Sequence, residues 1–217
     1  MAIWKKDKGS YKTVYIPEDS AREYDYVIKI FPWYLENIIS CEFYGYLINL
    51  KDPLVIFEDK DIRFRFARTF TILPVEYKEE GYKIFCVVQE KIKNGKKLSD
   101  EDIMYLEEKL KNSEFSWEDA YLLKFPLSKI TSKRENKDKI YFEDITADNI
   151  LKRKLKDEKE EYVIIDWMCY KVGLKRNIPS EELAKKIWYA IKPSLGYLPE
   201  HFEFPQELLE RIDLISL

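Results

Sequence analysis

Glycine and histidine, two residues on which much enzyme chemistry depends, are scarce in this sequence. Its 217 residues include 6 glycines and 1 histidine. Phosphate-binding loops use glycine to bring the backbone close to the ligand, and histidine is the commonest proton shuttle. No serine or cysteine has a glycine-bracketed nucleophile setting, and one histidine leaves no alternatives for a catalytic triad. The composition therefore argues against both kinds of catalytic site.

Cysteine is also rare, and long apolar runs are missing. Cys41, Cys86 and Cys169 are odd in number, far apart and set among apolar residues, which predicts reduced thiols in a cytosolic protein and excludes a paired-cysteine metal site. The first residues lack the apolar core of a signal peptide, and no window approaches the roughly 20 apolar residues of a membrane span. We therefore expect a soluble, cytoplasmic protein with no membrane partner.

Charge and aromatic residues are abundant. Charged residues make up 35% of the chain and aromatic ones 15%, and the net charge is -3. Such a chain is expected to fold with a heavily charged surface, but its net charge is too mild to predict a surface for duplex DNA. The richness in Lys, Glu, Ile and Tyr is typical of a thermophile or of an AT-rich genome, and composition does not separate the two.

The clearest pattern lies between Asp61 and Leu73. Apolar residues alternate there with polar ones, which predicts one long strand with a buried aromatic face and an exposed arginine face. Only Arg68 breaks the apolar row. The residues expected to be buried together are Phe64, Phe66 and Phe70, and those expected on the exposed side are Arg63 and Arg65.

Further strands are predicted on both sides of this one. Short turns between them favour an antiparallel sheet, either strongly curled or closed into a small barrel. The other predicted strands are residues 11–16, 26–31, 42–50, 54–58 and 82–89.

After Gly95 the period becomes helical. Ser99 is predicted to cap a helix whose first turn is acidic and whose buried face carries Ile103, Leu106 and Leu110. Further helices are expected from Ser116, Thr146, Ser180 and Pro205. Residues 161–174 form either a helix, which we favour, or a central strand. The polar, basic segment 128–139 is expected to be an exposed loop.

These elements predict an α+β fold, in which an N-terminal, mainly antiparallel, curled β-sheet precedes a mostly helical C-terminal half. A β-rich subdomain would span residues 1–95 and a helical subdomain residues 96–217, unless the two form one continuous domain.

One enzymatic hypothesis is a metal-dependent nuclease with a restriction-like core. Nucleases of that class place an acidic residue near one strand and an acidic or amide residue two positions before a lysine on the next. Asp59 and Asp61 precede the long strand, and Gln89 and Lys91 follow an apolar strand, so these four residues would form a Mg²⁺ site. A charged hairpin gives the same pattern without function, and Gln89 replaces the usual carboxylate.

A binding hypothesis rests on Arg63, Arg65 and Arg68. Arg63 and Arg65 would lie about 6.6 to 6.8 Å apart on one side of a strand, a spacing that follows either a phosphate backbone or an acidic protein surface. Arg68 has the opposite parity and would reach that surface only if a bulge turned the strand after Phe66. The likeness to the core strand of RNA-recognition motifs is loose, since Phe64 replaces their glycine.

Two other patterns favour structural roles. The segment Trp167 to Ile191 has the layout of a helix-turn-helix, but its second helix begins with two glutamates, which would repel DNA. His201 has no second histidine or cysteine nearby to make a metal site.

The sequence therefore predicts a non-enzymatic binding subunit or adaptor of a larger protein or nucleoprotein assembly. A protein partner is expected first, with RNA or single-stranded nucleic acid second, and no cofactor. The alternative is the metal-dependent nuclease, whose cofactor would be Mg²⁺.

Overall fold

The computed structural model of this chain is built mostly of β-strands. It describes residues 3–8, 12–18, 24–32, 43–45, 47–78, 83–111, 116–118, 122–124, 140–143, 145–171 and 196–214. The strands in these ranges are β1 Trp4–Lys8, β2 Thr13–Pro17, β3 Tyr26–Pro32, β4 Val55–Glu58, β5 Ile62–Phe66, β6 Thr69–Tyr77, β7 Lys83–Glu90, β8 Lys96–Lys97, β9 Ser116–Glu118, β10 Leu122–Lys124, β11 Ile140–Glu143, β12 Ile150–Lys154, β13 Glu160–Ile164, β14 Met168–Lys171 and β15 Ile212–Leu214.

Helices are few in the same ranges. Helix α1 spans Asp100–Leu110, α2 spans Gln206–Leu209, and a single 3-10 turn spans Ala147–Asn149. Residues 43–45 and 47–48 are also helical. Among the residues described, no helix has the length and apolar character needed to cross a membrane.

The chain forms two compact units. Unit 1 comprises residues 1–51, 68–91 and 178–217, and unit 2 comprises residues 52–67 and 92–177. Each unit is therefore assembled from segments that are far apart in the sequence.

Unit 1 is organised around a six-stranded sheet in the order β1-β2-β3-β7-β6-β15. Every neighbouring pair in it is antiparallel. Strand β6 carries a bulge between Thr69 and Thr71, where its register with β7 shifts. Buried side chains of the sheet pack with Leu208 of α2 and Ile212 of β15 to form one core cluster. Its other members are Tyr15, Tyr24, Tyr26, Ile28, Ile30, Val75, Cys86 and Val88.

Unit 2 is organised around a five-stranded sheet in the order β4-β5-β13-β12-β8. Strands β5 and β13 are parallel, and the other neighbouring pairs are antiparallel. Phe64 and Phe66 point to one face and are fully buried, and Phe66 meets Trp167 edge to face, with ring centroids 5.0 Å apart. Two smaller sheets pair β9 with β10 and β11 with β14.

The predicted fold class is wrong, because the second half of the chain is not mostly helical. The segment from Ser116 forms strands β9 and β10, and Thr146 precedes only the 3-10 turn, after which β12 begins. Residues 161–174 contain all of strand β13 except Glu160 and the whole of β14, so the favoured helix is wrong there as well. Both faces of β13 are buried, and a strand covered on both faces has a continuous apolar run that resembles a buried helix.

The predicted long strand is interrupted. It ends at Phe66 as β5 and resumes at Thr69 as β6, and these strands belong to the sheets of unit 2 and unit 1 respectively. Phe64 and Phe66 are fully buried in unit 2, whereas Phe70 is half-buried against the core cluster of unit 1. The three phenylalanines are therefore not buried together.

Several smaller predictions have clear outcomes. Strands β2, β3, β4 and β7 lie where strands were expected, and helix α1 begins after Ser99 as expected. The expected strand at residues 42–50 is wrong, because Phe43, Tyr44 and Leu47 are buried on one helical face. The expected loop at 128–139 and the expected helix after Ser180 lie outside the described residues.

Candidate binding surface

Arg65 is part of the core rather than of an exposed row. Only 3% of Arg65 is exposed, and its Nε and Nη2 donate to the carboxylate of Glu161 at 2.7 and 3.1 Å. Arg153, on the strand beyond β13, donates to the same carboxylate at 2.6 Å. Burial disfavours the charged form of Glu161, but the two guanidinium groups outweigh it and lower the pKa of Glu161. The prediction of an exposed Arg65 is wrong, because Glu161 neutralises the arginine inside unit 2.

Arg63 lies on the same strand and is partly exposed. Its Nη2 is 3.2 Å from Oε1 of Glu58, which also accepts from Nζ of Lys159 at 2.8 Å. Hydrogen bonds from Lys159 and Arg63 lower the pKa of Glu58. Arg63 therefore takes part in an ion pair within unit 2, where Glu58 opposes its charge.

Arg68 is differently placed. It lies in unit 1, where the carbon centre of its guanidinium is 5.5 Å from the ring centroid of Phe70 and 5.6 Å from that of Tyr197. The two rings are 6.0 Å apart and inclined at 66°. The three groups thus form a nearly equilateral triangle, with the cation over both aromatic faces. No acceptor among the described residues binds the guanidinium N–H groups of Arg68.

One ring of this triangle and the residue that follows it in the sequence are exposed apolar side chains. Tyr197 is 55% exposed, and the next residue, Leu198, is 48% exposed. We call Arg68, Phe70, Tyr197 and Leu198 the Arg68 surface. Large apolar side chains so exposed, beside a fixed cation, are typical of binding sites.

The loop that carries Tyr197 and Leu198 is anchored at both ends. A Cβ atom at Gly196 would overlap the carbonyl oxygen of Phe70 and lie 2.7 Å from Cγ2 of Ile48, so only glycine fits here. At the other end, the ring of Phe202 packs 5.2 Å from that of Tyr26. The hydroxyl of Tyr26 accepts from the N–H of Glu203 at 2.9 Å. These contacts fix the loop on unit 1.

The same loop contains a residue with a positive φ. His201 has φ of 60°, and the N–H of Phe202 donates to the carbonyl oxygen of Pro199 at 3.1 Å, which closes a turn. A side chain other than glycine costs free energy in that conformation, and such residues cluster at functional sites.

The carboxylates of the nuclease hypothesis lie in unit 2. Lys109 of α1 binds both, with Nζ 2.9 Å from Oδ2 of Asp59 and 2.6 Å from Oδ2 of Asp61. Burial opposes ionisation of Asp59, but the N–H of Ile62, the ammonium group of Lys109 and the N–H of Asp61 lower its pKa to about 2. Hydrogen bonds to Asp61 and Asp59 raise the pKa of Lys109. Asp59 and Asp61 therefore share one lysine as an ion-pair partner.

The other two residues of that hypothesis lie in unit 1. Gln89 is fully buried, and its amide atoms have no hydrogen-bond partner within the described part of the chain. Lys91 donates from Nζ to the carbonyl oxygen of Pro17 at 2.7 Å. The side chain of Gln89 therefore lies in the interior of unit 1, and the side chain of Lys91 binds the backbone of the same unit.

A charged cleft of about 400 Å³ lies in unit 2 beside Asp61. Its walls are Lys60, Asp61, Tyr105, Lys154, Asp157, Glu158, Lys159 and Glu160. Two of its lysines form ion pairs, Lys154 with Glu158 and Lys159 with Glu58. In the ranges that the structure describes, no group of three or more His, Cys, Asp or Glu side chains is arranged to hold a metal ion.

The sequence pattern points to Arg68 but not to Phe70, Tyr197 and Leu198 as its neighbours. One local signal points to the last two. They stand between Gly196 and Pro199, and two large apolar residues in a short glycine- and proline-bounded loop are unlike an ordinary polar loop. Comparison of the chain with family models, curated proteins and solved structures found no match.

Proposed function

We propose that this chain is a binding subunit of a larger protein or nucleoprotein assembly, and that a partner docks on the Arg68 surface. The observation that carries the proposal is the guanidinium of Arg68, which rests on two rings without a described acceptor beside two exposed apolar side chains. Tyrosine and arginine are enriched among residues that dominate binding energy.

Pre-organisation supports the proposal. Cation–π contacts restrict the rotamers of Arg68, and the anchors at Gly196 and Phe202 fix the loop. A partner would then lose less conformational entropy on binding than it would at a mobile surface. No observation on the described residues favours the nuclease hypothesis, which stays a prediction.

Affinity purification from the native host tests the proposal. We expect a stoichiometric partner to co-purify with the wild-type chain and to be lost with the double variant Arg68→Ala, Tyr197→Ala. Both substitutions remove exposed contacts of at most about 1 kcal/mol each, so the melting temperature should change little.

A matched control removes similar groups from a distant strand. Lys5 lies on the edge strand β1 and Ile3 directly before it, and both are exposed. Three strands separate β1 from β6 in the sheet. The double variant Ile3→Ala, Lys5→Ala should keep the partner. Equal recovery of every partner with both double variants, or no partner with the wild type, would contradict the proposed function.

A further inference from the structure

Arg68 is a partly exposed residue whose guanidinium rests on two aromatic rings. The guanidinium is 5.5 Å from the ring centroid of Phe70 and 5.6 Å from that of Tyr197, and the two centroids are 6.0 Å apart. The angle between the two rings at the guanidinium is therefore roughly 60°, so both rings lie on one side of it. The planar fork of N–H donors of a guanidinium matches a carboxylate or a phosphate in a bidentate arrangement.

The charges around Arg68 favour an isolated carboxylate over a nucleic-acid backbone. The carboxylate of Glu90 accepts from the backbone N–H of Arg68 at 3.1 Å, and the ammonium group of Lys91 is engaged by Pro17. Glu200, two residues after Leu198, has a side chain that is 90% exposed. A phosphate chain gains affinity by meeting several cations, whereas the Arg68 surface offers the single guanidinium of Arg68, which one carboxylate can pair.

The aromatic rings also argue against stacking with a nucleobase. Both rings turn a face towards Arg68, so a base that stacked on those faces would have to displace the cation. Leu198, which offers only apolar contact, suits an aliphatic or aromatic side chain of a partner.

Building on the proposed function, we propose that the ligand of the Arg68 surface is a peptide segment of a partner protein. Its acidic side chain pairs with the guanidinium of Arg68, and a neighbouring apolar side chain covers Tyr197 and Leu198. The partner is thus recognised by an acidic residue beside an apolar one.

Selection from a phage-displayed library of random peptides tests this inference. The wild-type chain is the bait, and an excess of the soluble Arg68→Glu variant competes. We expect the enriched peptides to carry Asp or Glu within a few residues of Leu, Ile, Met or Phe. Fluorescence anisotropy with the synthetic peptide should then show at least about tenfold weaker binding to Arg68→Glu, because a charge-assisted pair is lost.

Two variants of the protein and one variant of the peptide control the measurement. Lys5→Glu reverses a charge on edge strand β1 and should leave the affinity unchanged. Arg68→Gln keeps a polar side chain of similar length and serves if Arg68→Glu fails to fold, as judged by circular dichroism and melting temperature. A peptide with lysine in place of its acidic residue should regain affinity for Arg68→Glu.

The outcomes separate this inference from the proposed function. Peptides without an enriched acidic residue, equal binding to Arg68→Glu, or no enrichment would overturn the peptide inference. Oligo(U) or oligo(dT) that binds the wild-type chain and loses affinity with Arg68→Glu would also overturn it, while the Arg68 surface would stand as a binding site. The proposed function itself is overturned only by the host purification, if every partner is recovered equally with both double variants or if the wild type recovers none.

Discussion

Glu161 is the carboxylate most deeply placed among the ion pairs of unit 2. Its side chain is 2% exposed and lies between Arg65 and Arg153. Replacing it with alanine removes the carboxylate that both arginines bind, so Glu161→Ala should lower the free energy of unfolding by about 3 to 5 kcal/mol in urea titrations.

The matched control for that prediction is an exposed pair. Lys97 and Asp148 have side chains that are 74% and 79% exposed, with Nζ 3.0 Å from Oδ1. Lys97→Ala should cost less than about 1 kcal/mol. If Glu161→Ala costs no more than this control, the buried carboxylate does not have the role that its contacts indicate.

Asp59 should make the stability of unit 2 sensitive to acid. Its pKa is lowered to about 2 in the folded chain, whereas an unfolded aspartate titrates near roughly 4. A lowered pKa means that the stabilisation is complete above the unfolded value and is lost as the pH falls towards 2. Asp59→Asn should therefore flatten the decline in melting temperature between about pH 4 and pH 2. An unchanged decline would show that other carboxylates cause it.

At the scale of single residues, the face of β5 on which each side chain lies was predictable, but the burial of Arg65 was not. Alternation correctly separates Phe64 and Phe66 from Arg63 and Arg65, because side chains of a strand alternate between its faces. It does not show that Arg65 meets Glu161, which lies 96 residues away in the sequence. A charged residue is expected to be exposed unless a buried partner of opposite charge is known.

At the scale of elements, helix α1 was predictable because its signals are local. Ser99 accepts at Oγ from the N–H of Asp102 at 3.2 Å, and Asp102 in turn accepts from the N–H of Ser99 at 3.0 Å. Ser99→Ala removes one side of this capping box and should cost about 1 kcal/mol in chemical denaturation, whereas Ser99→Thr should cost much less. Equal stability of both variants would contradict a capping role.

The strands of the second half were harder to predict for a physical reason. Ile150 to Lys154 pairs with β13, and β13 pairs with β5, so these strands depend on neighbours that the local sequence does not contain. Intrinsic strand preference depends strongly on such neighbours, whereas a capped helix satisfies most of its hydrogen bonds within itself. The Arg68 surface depends in the same way on a loop 128 positions or so further along the chain.

The loop at Gly196 gives a prediction at this scale. Because a Cβ atom would overlap the carbonyl oxygen of Phe70, Gly196→Ala should destabilise unit 1 by about 1 to 3 kcal/mol and move Tyr197. Thermal denaturation measures the first effect, and binding of the selected peptide measures the second. Gly95→Ala, where the nearest side-chain and backbone atoms would be 3.0 to 3.1 Å away, is the milder comparison. Wild-type stability and binding for Gly196→Ala would show that the loop adapts.

At the scale of the whole molecule, the division of the chain follows from long-range pairing. The sequence analysis placed a boundary near residue 95, where a turn and a change of period coincide. The chain instead passes from one compact unit to the other between residues 51 and 52, 67 and 68, 91 and 92, and 177 and 178. Composition changes little at those points, so only the pairing of the strands reveals them.

The parallel pairing of β5 with β13 has a consequence for synthesis on the ribosome. Strand β5 aligns Ile62 with Glu160, so its inner edge has no partner until almost a hundred further residues have been made. Strands β1, β2, β3, β6 and β7 pair only with early neighbours and with β15, and can associate sooner. On ribosome-arrested chains, we expect proteolytic protection of residues 69–90 at lengths where 55–66 is still cleaved, with protection of 55–66 only after Ile164 emerges. Simultaneous protection of both segments would contradict this order. The nascent chain is thus expected to pass through a stage in which Phe64 and Phe66 are exposed, and apolar surface exposed during folding is prone to aggregation.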